Sequence, residues 1–365
     1  MIIKVNKQDL LGGLQRVIGV VTQKNTLPIL SNILIQTKEG GFLELIATDL
    51  DIGITEAIKT EVIEDGAITI PAKKFTDIIK ELPEDEVKIT TKKNNTINIE
   101  CKNTFFKIIG IPKEEFPKLP THTNKNKLTI PQNTLKEMLA RTVFATSRDE
   151  TRYILNGILF ILNNDTTTMV ATDGRRLAII KKQTPLPKGL NIKVVVPSKT
   201  IQEISKMLGT EGQATISFDE NQAMFNINET RIISRLIEGE FPNYEQAIPK
   251  QYKDILTIEK EKFLLAIKRA ALLTTPDSQA IRLDVFKDKV VVSKIAPNIG
   301  EAKEELGCSY VGAEFFIGFN PTYLLEGLKN IKQDELNIEF QGAEKPAMVK
   351  DQEDYLYVVL PMQIA

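Results

Sequence analysis

Histidine and cysteine are almost absent from this chain. Its 365 residues include one histidine, His122, and two cysteines, Cys101 and Cys308. A zinc centre wants three or four thiolate or imidazole ligands, and these residues cannot supply them without carboxylates. Neither cysteine belongs to a CxxC pair, so both read as reduced, partly buried thiols of an intracellular protein. Net charge is nearly absent too, at −1. That excludes a uniformly basic surface and still permits basic and acidic faces on one molecule. No run approaches the ~20 apolar residues of a membrane span, and the N-terminal MIIKVNKQDLLGG lacks a signal-peptide core. The expectation is a cytoplasmic protein without membrane contact. No nucleophile–base pair, phosphate-binding glycine loop, Walker motif or metal constellation is visible, so neither covalent chemistry nor a cofactor is expected.

What the chain does have is repetition. Its length suggests two or three domains, and an ordinary composition of 42% hydrophobic and 26% charged residues supports folded cores. IATDLDIGI, residues 46–54, returns as VATDGRRLAI from residue 170, and ILSNILI, residues 29–35, returns as ILNGILF, residues 154–160. Phe116 in EEFPKLP is matched 125 residues later by Phe241 in GEFPNYEQAIP. A fainter third copy joins at the openings IIKVNKQDLLGGLQRV, KLTIPQNTLKEMLART and ILTIEKEKFLLAIKRA. Each opens with an apolar alternation (Ile3/Val5, Leu128/Ile130, Leu256/Ile258) and continues as a helical stripe (Leu10/Leu14, Leu135/Leu139, Phe263/Ile267), hence a strand feeding a helix. ITIPAKKFTDIIKEL, VVVPSKTIQEISKML and IGFNPTYLLEGLKNI repeat that theme, each with a proline near the helix start. The apolar stripes are Phe75/Ile78/Ile79, Ile201/Ile204/Met207 and Tyr323/Leu324/Leu328. The reading is an α+β chain of three copies, with boundaries at 1–122, 127–249 and 253–365 and a polar linker, LPTHTNKNK, at the first.

Charge is sorted by element. The six predicted helices carry +9 between them, leaving about −10 for everything else. If they share a face, that face attracts phosphate while the acidic remainder repels it. No aromatics interleave with the basic residues and no recognition-helix signature appears, which favours backbone contact over base readout.

Six stretches in order, TLPILSNILI, IPAKKF, RYILNGILF, ATDGRRLA, EFPNY and YLYVVLPMQ, on a triple repeat, resemble the bacterial DNA polymerase III beta subunits, the sliding-clamp family. The resemblance covers the whole chain. It implies three clamp-type domains, each with two helices packed on antiparallel sheets, and a head-to-tail homodimer closing a six-domain ring. Twelve helices ~8–10 Å apart give a circle roughly 30–38 Å across, and subtracting ~10 Å of helix thickness leaves about 20–28 Å, enough for duplex DNA. The implied partners are encircled double-stranded DNA, the replicative polymerase alpha subunit, a separate ATP-driven clamp loader and other clamp-binding-motif proteins.

The resemblance also implies site residues. A pocket for a partner peptide anchored by a leucine and an aromatic falls on Leu155, Thr172, Gly174, Arg175, Arg176, Leu177, Pro242, Gln246, Ala247, Pro346, Val358, Val359, Leu360, Pro361 and Met362. DNA contact falls on Lys24, Lys73, Arg148, Arg152, Tyr153, Ser198, Lys199 and Lys206. The dimer interface falls on Phe106, Ile108, Leu272 and Leu273, with Lys73, Lys74 and Lys107 facing Glu301, Glu304 and Glu305. The ending Met362-Gln363-Ile364-Ala365, with Gln246 and Ala247, departs from the family's usual pattern and makes the pocket rim less basic. Asp49 and Asp173 follow Ala-Thr in two copies, which suits a turn device better than an acid. An enzyme using that pair and a scaffold ring that never encloses DNA are the rival readings.

Overall fold

Alternation and capping explain how each repeat begins. Ile3 and Val5 point inward along β1 (Ile2–Asn6), and the Asn6 carboxamide accepts the Gln8 N–H at 2.8 Å, starting α1 (Lys7–Val17). The computed structural model describes residues 1–21, 27–121, 126–249, 254–297 and 299–364. Lys24 and His122 lie outside these residues, as do parts of both expected linkers. The first copy continues through β2 (Asn32–Lys38), β3 (Phe42–Thr48), β4 (Ile52–Lys59), β5 (Glu61–Glu64), β6 (Ala67–Pro71), α2 (Ala72–Glu81), β7 (Glu86–Thr91), β8 (Thr96–Cys101) and β9 (Thr104–Ile109). The second has β10 (Lys127–Pro131), α3 (Gln132–Val143), β11 (Gly157–Asn163), β12 (Thr166–Thr172), β13 (Arg176–Gln183), β14 (Ile192–Pro197), α4 (Ser198–Met207), β15 (Gln213–Phe218), β16 (Gln222–Ile227) and β17 (Thr230–Arg235). The third has β18 (Asp254–Glu259), α5 (Lys260–Ala271), β19 (Ile281–Val285), β20 (Lys289–Ala296), β21 (Gly300–Gly307), β22 (Ser309–Val311), β23 (Phe315–Phe319), α6 (Pro321–Leu328), β24 (Glu335–Phe340), β25 (Ala347–Asp351) and β26 (Tyr355–Val359).

The expected stripes are the buried ones. Leu10, Leu14, Leu135, Leu139, Phe263 and Ile267 are fully buried, as are Phe75, Ile79, Ile201 and Ile204. Met207 and Tyr323 are only half-buried. Of the three prolines, Pro321 alone occupies a first helical turn; Pro71 and Pro197 end the preceding strands.

Two compact units result, and they cut through the middle copy. One comprises Met1–Lys136 with Lys199–Leu236; the other comprises Glu137–Ser198 with Ile237–Ala365. The first unit holds a five-stranded sheet, β5-β1-β7-β8-β9, and an eight-stranded sheet, β10-β15-β16-β17-β4-β3-β2-β6. The second holds a nine-stranded sheet, β14-β11-β12-β13-β26-β25-β24-β18-β22, and a four-stranded sheet, β21-β20-β19-β23. Each large sheet is a joint between copies, made by antiparallel pairing of β17 with β4 and of β26 with β13.

The joints obey one rule. β4, β13 and β21 are the third strands after the first helix of the three copies, and β9, β17 and β26 are the last strands of the second halves. A last strand meets a third strand twice, while β9 and β21 remain at sheet edges. Those edges carry exposed Phe105, Phe106 and Ile109 on β9, and Leu272, Ile295 and Ile299 lie exposed in the unit that holds β21.

Candidate functional site

The stretch ATD builds the same turn in both copies. Thr172 Oγ1 donates to Arg176 O at 2.6 Å and accepts the Gly174 N–H at 3.0 Å, while Asp173 Oδ1 accepts the Arg175 and Arg176 N–H groups at 2.9 and 3.1 Å. In the first copy Thr48 Oγ1 donates to Ile52 O at 2.9 Å and accepts from Leu50, and Asp49 Oδ1 accepts from Asp51 and Ile52. Both aspartates are spent on hairpin geometry. The third turn residue has φ near 80° in each, at Gly174 and at Leu50.

The second turn stands at one end of a groove. Successive cross-strand rows run Thr172–Leu177–Val358, then Val170–Ile179–Leu356, all on one face of β12, β13 and β26. Leu155, Leu177, Val358 and Phe241 belong to one buried cluster, against which Ile154, Tyr244 and Ile248 pack half-exposed. Gln246 and Ala247 are exposed on the short 3-10 turn Tyr244–Ala247, and Pro242 is exposed just before it. Leu360 N–H donates to Arg175 O at 2.9 Å, which holds the strand's exit beside the turn, and Val359 pairs with Ala347, placing Pro346 at the same end. Met362 is anchored elsewhere, its N–H donating to Gly318 O at 2.8 Å. Tyr244 and Ile248 escaped the sequence reading; their signal was an apolar pair at i and i+4 beside Pro242.

The two arginines have different fates. Arg175 is exposed, whereas Arg176 is buried and cannot serve as a free rim cation. Its Nε bonds Asp173 Oδ2 at 3.0 Å, Nη2 bonds Phe144 O at 2.6 Å, and Nη1 pairs with Glu326. The guanidinium lies 4.5 Å from the Tyr323 ring centre. Burial alone would lower its pKa, but the Glu326 and Asp173 carboxylates and the Tyr357 side chain outweigh that and raise it. Gly327 allows α6 this close to β26, since a Cβ there would stand 2.1 Å from the Tyr357 ring. Around this hub a polar hollow of about 360 Å³ gathers Arg148, Arg152, Arg175 and Arg176 with Asp149, Asp173, Tyr323 and Glu326. Positions assigned to DNA and to peptide therefore adjoin. Arg152 is already committed, to Asp149 Oδ2 at 3.1 Å and Asp173 O at 2.8 Å.

Several of the basic helix residues are engaged locally. Three lysines point to helix ends instead of solvent: Lys7 Nζ reaches Leu82 O, Lys136 Nζ reaches Leu208 O at 2.9 Å, and Lys260 Nζ reaches Ile331 O at 3.0 Å. In every copy a lysine of the first helix closes the carbonyl end of the second, where a cation is favoured. Arg141 is buried against Asp351, Lys199 pairs with Asp49, and Lys206 bonds Glu203 at 2.7 Å. Arg148 lies beyond the end of α3 and is exposed. Of the described basic residues counted on the six helices, Lys73, Lys74, Lys80, Arg148, Lys268 and Lys329 have neither an ion pair nor a carbonyl to cap. Tyr153 is exposed and Ser198 half-exposed.

At the interface positions, Leu272 is 81% exposed and Phe106 36%, while Ile108 and Leu273 are half-buried. Leu272 is the C-cap of α5 and not part of its core. Glu304 already binds Arg269 at 2.5 and 2.8 Å, and Glu305 binds Lys289 at 3.0 Å, leaving Glu301 as the unpaired acid of that trio. Lys73, Lys74 and Lys107 are exposed.

The chain matches the sequence patterns of the DNA polymerase III beta subunit N-terminal, central and C-terminal domains over residues 1–120, 129–243 and 245–363. It is 32% identical over 360 residues to a beta sliding clamp of Chlamydia pneumoniae, covering 99% of this chain and 98% of that one. A DNA polymerase sliding clamp from Bacillus subtilis superposes with a TM-score of 0.96 at 28% identity, and a Pseudomonas aeruginosa clamp bound to griselimycin with 0.95 at 31%, each over 100% of both chains. Three consecutive domain matches and whole-length relatives at this level establish descent as well as shape: the chain belongs to the DNA polymerase III beta subunit family, the beta sliding clamps.

Proposed function

We propose that two copies pair head to tail, β9 of each with β21 of the other, and close a six-domain ring around duplex DNA. The observation that carries this is the joint rule: two of three last-strand-to-third-strand joints are made within the chain, and the third donor and acceptor are left as open edges. Pairing them would merge the five- and four-stranded sheets into one and cover apolar side chains that water now meets. Phe106, Ile108, Leu272 and Leu273 supply the apolar contact, with Lys74 and Lys107 steering towards Glu301 and the paired Glu304 and Glu305. Three repeats divided at 1–122, 127–249 and 253–365 are the units of this ring.

In this reading the ring tethers the replicative polymerase in the cytoplasm without catalysing a reaction, and an ATP-driven loader opens it. No helix among the described residues is long and apolar enough to cross a membrane. Lys73, Arg148 and Tyr153 are the DNA contacts the geometry favours, with Arg152, Ser198, Lys199 and Lys206 secondary, and Lys24, outside the described residues, is carried over from the family resemblance alone. Partner peptides place a leucine over Leu155, Thr172, Leu177 and Val358, walled by Pro242, Gln246, Ala247 and Leu360. Gly174, Arg175, Pro346, Val359, Pro361 and Met362 frame the entry, and Arg176 acts from beneath. Sedimentation equilibrium tests the pairing: a species of twice the 41.0 kDa chain is expected at micromolar concentration, and a monomer there contradicts it.

A further inference from the structure

Beside the Tyr244–Ala247 turn lies a second recess, next to the surface proposed above for the peptide's leucine, the first recess. The row after Val170–Ile179–Leu356 is Thr168–Lys181, with Lys181 N–H donating to Asp354 O at 2.7 Å. A cavity of about 650 Å³ opens over these two rows, within the range that accommodates a recognised group. Its floor is Ile179, Tyr244, Ile248 and Leu356, all part of or packed on the cluster beneath the first recess. The cluster that floors this cavity also underlies the surface proposed above for the peptide's leucine.

The mouth has a definite charge. Asp354 is held by Lys182 and Lys350 by Glu339, so neither is available. Among the described residues, Glu245, Glu353 and Lys181 line it, exposed and without ion pairs, two acids against one base. We propose that this second recess binds an aliphatic side chain followed by a basic one, carried by the same partner peptide that fills the first recess. This rests on the peptide reading above. Rows on one strand face are about 7 Å apart, so the two recesses lie roughly 7–13 Å from each other along the sheet. An extended chain crosses that span, and the turn between, in about four to six residues.

The test is fluorescence polarisation with the full-length protein and a labelled peptide bearing leucine and phenylalanine anchors. It is compared with the same peptide extended, at either end, by four Gly/Ser residues and Leu-Arg. One extension is expected to tighten binding about five- to tenfold, as one buried aliphatic group and a surface charge contact would after ordering costs. The double variant Glu245→Lys/Glu353→Lys should remove the gain and the single variant Glu353→Lys most of it, each leaving the short peptide's affinity unchanged. If neither extension binds more tightly than the short peptide, or if the gain survives both variants, the second recess is wrong and the first stands. If no peptide binds, including the short one, both readings fall.

Discussion

The two ATD turns share one backbone angle and differ in the residue that must adopt it. Gly174 and Leu50 both occupy the left-handed region, with φ of 85° and 81°, but only glycine does so without a Cβ penalty. Leu50 is also largely exposed and packs little. Leu50→Gly should therefore stabilise the protein by about 0.5–1 kcal/mol, read from the urea midpoint, despite the greater freedom of glycine in the unfolded chain. The shared turn was visible in sequence because its polar residues recur; the strain at Leu50 was not, because nothing in the letters ATDL fixes the sign of φ. The lysines at helix ends could not be placed from sequence for a related reason. Composition counts a charge but not where a long flexible side chain takes it, and Lys7, Lys136 and Lys260 fold back onto carbonyls. Lys136→Met should cost about 1 kcal/mol in thermal or chemical denaturation and leave retention on DNA unaltered.

At the scale of elements, the second unit depends on a charge network beneath β25 and β26. Arg141 of α3 meets Asp351, which also accepts the Lys332 N–H at 2.9 Å, and its guanidinium lies 3.9 Å from the Tyr355 ring centre. Glu137 joins Arg141, Lys182 and Lys332 at 3.2, 3.4 and 2.8 Å. This fastens the middle copy to the third next to the β13–β26 joint. Burial tends to raise the Glu137 pKa, but contacts with Lys332, Lys182 and Arg141 hold it below the usual 4.5. Burial tends to lower that of Lys182, but Asp354 and Glu137 hold it above 10.5. Both contributions are complete between those two values. The Glu137 part is lost as pH falls through its depressed folded pKa, and the Lys182 part as pH rises through its elevated one. Glu137→Gln should flatten the acid side of a stability–pH profile and also draw the alkaline limit to lower pH, because Glu137 helps to hold the Lys182 pKa up. Arg141→Met, which strands a buried carboxylate, should cost about 3–5 kcal/mol in urea unfolding, and adding Asp351→Leu should recover part of that. Strand-then-helix order and the buried stripes followed from periodicity in the sequence. The pairing of α3 with β25 did not, because Arg141 and Asp351 are 210 residues apart and charged side chains carry no period.

For the whole molecule, the repeat pattern was readable because copies of one fold keep their apolar positions. The division into two compact units was not, since it depends on which edge strands meet, and the middle copy lends strands to both neighbours. The same edge logic underlies the proposed joint between chains. Phe106→Asp or Leu272→Asp should convert the dimer to a monomer in sedimentation at micromolar concentration, with an unaltered circular dichroism spectrum, because both side chains are exposed in the single chain. Enclosure also sets what salt can do. A protein bound through phosphate contacts dissociates as salt rises, whereas a closed ring is kept on its DNA by topology. The most direct measurement is retention on nicked circular duplex, after loading with a clamp loader and ATP, during gel filtration at about 0.5 M salt, where phosphate contacts alone are strongly weakened. Protein that stays with the circles and is lost once a restriction enzyme linearises them is the expected result; equal retention on circles and linear DNA, or loss from both as salt rises, would contradict enclosure.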